Sequence, residues 1–179
     1  MTDFLEMQFS GLEDLQEDLK TLSTALQDKA VTSALKAGAN PIAQKMRALA
    51  PDDSRTAGTR LGRAVNITMA KNNSKVSTGL GRRSVSLAQG EQGIVVGPNK
   101  KVDGKPYQWL ATILEGGTKP HTLGKPGRFI RVGGTYVWGR VKHPGTRPTM
   151  WMSKSFEGAD EAFQTNFYNG LAKFLDKNA

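Results

Sequence analysis

Two short turns restrict this chain more than anything else in it: Gly117-Thr118-Lys119-Pro120 and Gly145-Thr146-Arg147-Pro148. Proline locks φ and lacks a backbone donor, and glycine accepts positive φ, so neither stretch can lie inside a helix or a central strand. Each copy stands beside one of the two histidines, His121 and His143. A helical run precedes the first copy and a long amphipathic run follows the second. The turns therefore bracket Thr122–Lys142 as a separate basic arm.

The helical part begins at Ser10-Gly11-Leu12-Glu13, the spacing of a capping box. Leu12, Leu15, Leu19, Leu22 and Leu26 then form a narrow apolar stripe, with Glu13, Asp14, Glu17 and Asp18 on the wet face. That stripe fits packing on the chain's own sheet or against another subunit. A second run passes through Leu35, Ile42, Met46 and Leu49, with a kink or restart expected at Pro41 and an end at Ala50-Pro51.

Residues 51–62 are polar and glycine-containing, as a loop requires. Val65, Ile67 and Met69 alternate with polar residues, the period of a half-buried strand. After a turn at Lys71–Lys75, further strands are expected at 76–80, 84–88 and Gly93–Gly97. Pro98–Pro106 reads as a basic loop. Tyr107–Leu114 reads as a two-turn helix with Trp109, Ile113 and either Leu110 or Leu114 on one face, stopping at Gly116-Gly117. Phe129–Val132 and Thr135–Arg140 flank Gly133-Gly134, a hairpin signal. Pro148 is placed to open a last helix marked by Met152, Phe156, Phe163, Phe167 and Leu171.

These elements give an α+β fold: N-terminal helices and a long C-terminal helix packed on a mostly antiparallel sheet, with extended basic loops. The expected organisation is one domain over 1–179, helical in 1–50 and β-rich and basic in 61–140. The latter part carries a short helix at 107–115, and a C-terminal helix follows at 148–176.

Charge is unevenly spread within the net +9. Residues 1–54 hold five Lys/Arg against nine Asp/Glu, a net −4, and residues 155–179 hold two against four, a net −2. Residues 55–154 hold eighteen against three, a net +15. A basic middle between acidic ends suits either a polyanion or the acidic ends of identical neighbours. Arg82, Arg83, Lys100, Lys101 and Lys105, with Lys119, Lys125, Arg128, Arg131, Arg140 and Lys142, could line a phosphate-tracking surface. Tyr136 and Trp138 have same-face strand spacing and fit either base stacking or the core.

Catalytic chemistry finds little support. Cysteine is absent, which excludes disulfides and thiolate metal sites. There is no Walker loop, no Gly-x-Ser-x-Gly elbow and no His-Glu-x-x-His. Gly79–Ser84 resembles a phosphate loop only superficially. His121, His143 and Glu115 could face a metal, but Lys119 and Lys142 beside them make a poor cation site. Glu115, the one acid between Asp103 and Glu157, is expected to pair with a surrounding Lys or Arg. No cofactor is expected. The start, Met1-Thr2-Asp3-Phe4, has no basic stretch leading into an apolar one, and no apolar run approaches ~18 residues. The reading is a protein neither exported by a signal peptide nor spanning a membrane.

Several landmarks together resemble the small neck and tail-completion proteins of long-tailed, siphovirus-type bacteriophages, also called minor tail or head–tail joining proteins. The matching pieces are Gly11-Leu12-Glu13-Asp14-Leu15, Met46-Arg47-Ala48-Leu49-Ala50-Pro51, and Thr59-Arg60-Leu61 entering the first strand. Val95-Val96-Gly97 and Leu114-Glu115-Gly116-Gly117-Thr118 continue the likeness. Its most specific piece is His143-Pro144-Gly145-Thr146-Arg147-Pro148, with Trp151 and a helix behind it.

The resemblance implies a non-enzymatic structural virion protein, assembled in the host cytoplasm into a ring at the neck or head-proximal tail end. Its role there would be tail completion or head–tail joining. Six copies would match a tail tube, and twelve the portal side. Partners would be the chain itself, an adaptor or stopper, the tail terminator and the tail tube, with non-specific contact to genomic DNA in the channel. The alternative is a basic nucleic-acid-binding accessory protein. The expected contact residues are Glu115, Gly117, Thr118, Lys119, Pro120, Lys125, Arg128, Arg131, Arg140, His143, Pro144, Gly145, Thr146, Arg147 and Pro148.

Overall fold

The computed structural model describes residues 24–51, 60–70, 75–77, 82–84, 87, 91–132 and 134–178. The capping box at 10–13, the leucine stripe as far as Leu22, and most of the 51–62 loop lie outside these residues. So do most of the Lys71–Lys75 turn and most of the strand expected at 84–88.

Helix α1 spans Thr24–Leu49 and ends before Ala50-Pro51, as a following proline demands. The expected restart at Pro41 does not occur; the proline sits inside one continuous helix. Ala39, Ile42, Ala43 and Met46 are buried on both sides of it. Their packing outweighs a local cost of about 3 kcal/mol. Arg60–Ala64 forms a short helix, α2, where Thr59–Leu61 was expected to lead straight into a strand. Leu61 and Ala64 are buried there, and burying both suits helical spacing better than strand alternation.

Strand β1 (Asn66–Ala70) pairs antiparallel with β4 (Gly93–Gly97), from Asn66 opposite Gly97 to Ala70 opposite Gly93. Strands β2 (Lys75–Ser77) and β3 (Arg82–Ser84) form a second ladder, which holds Arg82 and Arg83. The loop at 98–106 folds back on itself through paired amides and carbonyls of Val102 and Lys105. Helix α3 spans Gln108–Gly116. Its inner face is Leu110, Ala111, Leu114 and Glu115; Trp109, expected inside, is 64% exposed.

The strands of the expected hairpin pair as antiparallel neighbours, β6 (Phe129–Val132) with β7 (Thr135–Trp138). Below it, β5 (His121–Leu123) pairs with β8 (Val141–His143). His121 and His143 thus lie in short paired strands. All four ladders among the described residues are antiparallel and two-stranded.

The expected single helix over 148–176 is two: α4 (Trp151–Phe156) and α5 (Asp160–Asn178), separated at Gly158, whose φ is 63°. The main core lies between α1 and α5, where Ala30, Ala34 and Ala39 receive Phe163, Phe167 and Leu171. Small residues on α1 let α5 come close: Gly38 lies beneath the Phe163 ring, and Gly170 faces Ala37. Each large side chain buried there contributes about 2–3 kcal/mol. A second cluster joins Ala43, Met46, Leu61, Val65 and Ala111 to Trp151 and Met152. Ile67 and Val96 of the β1–β4 ladder pack against both clusters. The fold class is α+β, as expected.

Candidate functional site

The two Gly-Thr turns meet. Thr118 and Thr146 exchange backbone hydrogen bonds, the Thr118 amide to the Thr146 carbonyl at 2.9 Å and the Thr146 amide to the Thr118 carbonyl at 3.1 Å. The Thr146 amide also donates to Thr118 Oγ1 at 2.9 Å. Gly117 and Gly145 have φ of 67° and 90°, a region that disfavours a side chain. Any Cβ on Gly117 would fall 2.4 Å from the Thr146 carbonyl oxygen, and one on Gly145 would fall 2.2 Å from that of Thr118. Each glycine thus makes room for the other copy's threonine.

Beside this bridge, the end of α3 and the start of α4 cap one another. A helix leaves its last carbonyls and first amides without partners. The Thr149 amide and hydroxyl donate to the Leu114 carbonyl at 2.8 and 2.7 Å, and the Met150 amide to that of Glu115 at 3.3 Å. In return the Glu115 carboxylate accepts from the Met152 amide at 2.8 Å and the Ser153 amide at 2.9 Å. It also accepts from the Ser153 hydroxyl at 2.5 Å. Met150, at the cap position itself, has a left-handed backbone and no side-chain cap bond. A distant carboxylate does what Ser, Thr, Asp or Asn normally does locally.

Glu115 is only 6% exposed and, among the described residues, makes no ion pair, so its expected pairing with a Lys or Arg is corrected. The surrounding cations project into water, while the helix amides lie within hydrogen-bonding reach. Sequence reasoning missed Glu115 as a cap. No sequence signal marked it: Thr149 is itself a usual capping residue, and only the fold puts Met150 at the cap position instead.

Above the clamp the chain forms one two-stranded arm. His121 stands opposite His143, Thr122 opposite Lys142 and Leu123 opposite Val141. The ladder is interrupted at 124–127, resumes with the Gly139 amide donating to the Arg128 carbonyl at 2.9 Å, and continues into β6–β7. Twelve residues, Thr135–Thr146, form its shorter side, so at about 3.3 Å each it reaches at most roughly 35–40 Å.

The histidine rings lie 4.9 Å apart between centroids. His143 Nδ1 accepts from the Gly145 amide at 3.0 Å, whereas His121 Nδ1 faces the Lys119 carbonyl at 2.8 Å and must donate to it. Both rings serve the turns beside them. Replacing His143 with Phe leaves the Gly145 amide without its acceptor. The expected cost is about 1 kcal/mol, read as a lower urea midpoint. Among the described residues no three His, Asp or Glu side chains gather as a metal site would need.

The other candidate residues separate by place. Gly117, Thr118, Gly145 and Thr146 form the clamp. Lys119, Pro120, Pro144, Arg147 and Pro148 surround it and are exposed. Lys125, Arg128, Arg131 and Arg140 lie along the arm, all exposed. Lys100, Lys101 and Lys105 form a separate exposed group on the 98–106 loop. Tyr136 and Trp138 are not core residues, being 68% and 60% exposed.

A family model described as "Bacteriophage HK97-gp10, putative tail-component" matches residues 13–117. The match covers more than half of the 179 residues and ends at the first clamp glycine. No curated protein and no solved structure matches the chain.

Proposed function

Since the chain belongs to the HK97-gp10-like family of bacteriophage tail components, we propose that it assembles into a homo-oligomeric ring at the neck or head-proximal tail end. There it takes part in tail completion or head–tail joining, against an adaptor or stopper, a tail terminator or the tail tube. Six copies match the symmetry of a tail tube, with twelve the portal-side alternative. The clamped arm supports this reading most directly. A ring subunit needs a packed body and a stiff extension that reaches its neighbour. Here the extension is fixed at its root by the Thr118–Thr146 bridge. Residues that only hold geometry, such as Glu115 and the clamp glycines, suit a structural component better than a catalyst.

The reading places the protein in the virion. No described helix is long and apolar enough to cross a membrane. Electron microscopy of the purified chain and of virions tests the proposal. Closed rings of uniform size, and labelled protein at the head-proximal end of the tail, are the expected result. A monomer absent from particles would overturn it.

One observation favours a second role, contact with duplex DNA. Residues 116–156 hold eight Lys/Arg and no Asp/Glu, and those eight are exposed. Phosphate contact by such a surface weakens steeply with salt. The accessory DNA-binding reading therefore requires a duplex gel shift at low salt, lost as salt rises.

A further inference from the structure

The outer end of the arm carries a face that nothing among the described residues covers. In the β6–β7 register Phe129 stands opposite Trp138, and Arg131 opposite Tyr136. Strand side chains alternate, so these four share one face, with Ile130 and Val137 on the other. Phe129, Tyr136 and Trp138 are 63%, 68% and 60% exposed, and Arg131 is exposed too. Phe129 and Trp138 touch edge to face, with centroids 4.5 Å apart.

Three rings exposed to that extent leave roughly 300–400 Å² of largely apolar surface in water, the size at which a patch usually has a function. A lone two-stranded hairpin is also marginal in water and gains stability when a further layer covers it. Aromatic side chains with arginine are the composition of interface hot spots.

We propose that this aromatic–arginine face docks on a second copy of the chain, against the acid-bearing first half of its α5. The proposal rests on the ring reading and supplies that ring's contact. Charge complementarity points to an acidic surface of the chain, and 155–172 is the acidic stretch among the described residues. Between Glu115 and Glu157 the chain has no acid, and among the described residues no arm cation pairs with a carboxylate. Residues 155–172 are the converse: they hold Glu157, Asp160 and Glu161, all exposed, and no Lys or Arg, with Lys45 of α1 reaching the Glu157 carbonyl at 2.7 Å. Tyr168 stands two turns beyond Glu161 on the same side of α5 and is 39% exposed. Donor and acceptor surfaces differ, so the contact is heterologous and can repeat around a ring. Duplex DNA fits this face poorly, because it offers phosphates to the cations but no free base faces to the rings.

The test compares sedimentation of the full chain with that of a Phe129→Ser/Trp138→Ser variant, circular dichroism checking that both are folded. Self-association is expected to weaken roughly thirtyfold or more, the cost of losing a hot spot. Arg131→Glu should weaken it as well, and Glu161→Arg added to Arg131→Glu should restore it. A benzophenone amino acid at position 138 should cross-link to residues 155–172 of another copy.

Assembly of the aromatic variant at wild-type strength overturns this contact and leaves the ring reading standing. A wild-type chain that sediments only as a monomer overturns both. If the variant loses oligo-dT binding while assembly is intact, the face is a single-strand nucleic-acid site and the proposal fails.

Discussion

Glu115→Ala is expected to lower the unfolding free energy by about 3 kcal/mol, although no cation among the described residues pairs with Glu115. Two of the free amides at the start of α4 donate to this one carboxylate, with the Ser153 hydroxyl as a third donor. Losing an N-cap alone costs about 0.5–2 kcal/mol. Losing a charged acceptor in a buried setting adds the desolvation of stranded donors, about 1–3 kcal/mol. For a domain of this size the melting temperature should fall roughly 6–12 °C.

Glu115→Gln separates shape from acceptor chemistry. The amide keeps one oxygen, but its NH₂ must face a backbone N–H, so about 1–2 kcal/mol of the loss should remain. Urea unfolding followed by far-ultraviolet circular dichroism gives the order wild type, Gln, Ala. Hydrogen exchange at Met152 and Ser153 should quicken in the same order. A loss below about 1 kcal/mol for Glu115→Ala would mean that other groups, or water, cap α4 adequately.

The same residue shows where reading from sequence stops. Eight nearby cations made an ion pair the natural expectation, because residue letters display side-chain charge. They do not display the backbone amides at a helix start, which are the donors Glu115 meets. Pro41 differs: the local rule for proline allowed a kink or a restart, and with Ala39, Ile42, Ala43 and Met46 buried around it the helix does not restart there.

The gap between α4 and α5 was hidden by its own spacing. Phe156 and Phe163 are seven residues apart, two helical turns, so the apolar period runs on across the break at Gly158. Strands β5 and β8 are three residues each, too short for alternation to register. Gly93–Gly97, the β6–β7 pairing and the ends of α1 and α3 were legible because glycine and proline mark them directly. The two turn motifs were visible, and so was the arm between them. Their contact with one another was not, since a bridge across 28 residues leaves no periodic trace.

That bridge is the basis of the other large effect, expected from Gly145→Ala. The substitution imposes two penalties on one atom. At φ 90° a side chain costs about 1–3 kcal/mol in backbone strain. The new Cβ would also lie 2.2 Å from the Thr118 carbonyl oxygen, with the backbone of Lys119 and Pro120 close behind. Backbone cannot swing aside as a side-chain tip can, so the Thr118–Thr146 bridge must open. The expected total is about 4 kcal/mol or more, with faster exchange at the Thr118 and Thr146 amides.

Gly127→Ala is the control, because Gly127 has a φ of 72° but open space around it. Only the strain of about 1 kcal/mol should appear there. If the two alanine variants lose equal stability, strain alone explains both and the clamp contributes little. If Gly145→Ala loses several times more, the excess measures the clamp. Ring assembly should then weaken in Gly145→Ala even where the body stays folded, because an arm freed at its root must be ordered again each time it binds.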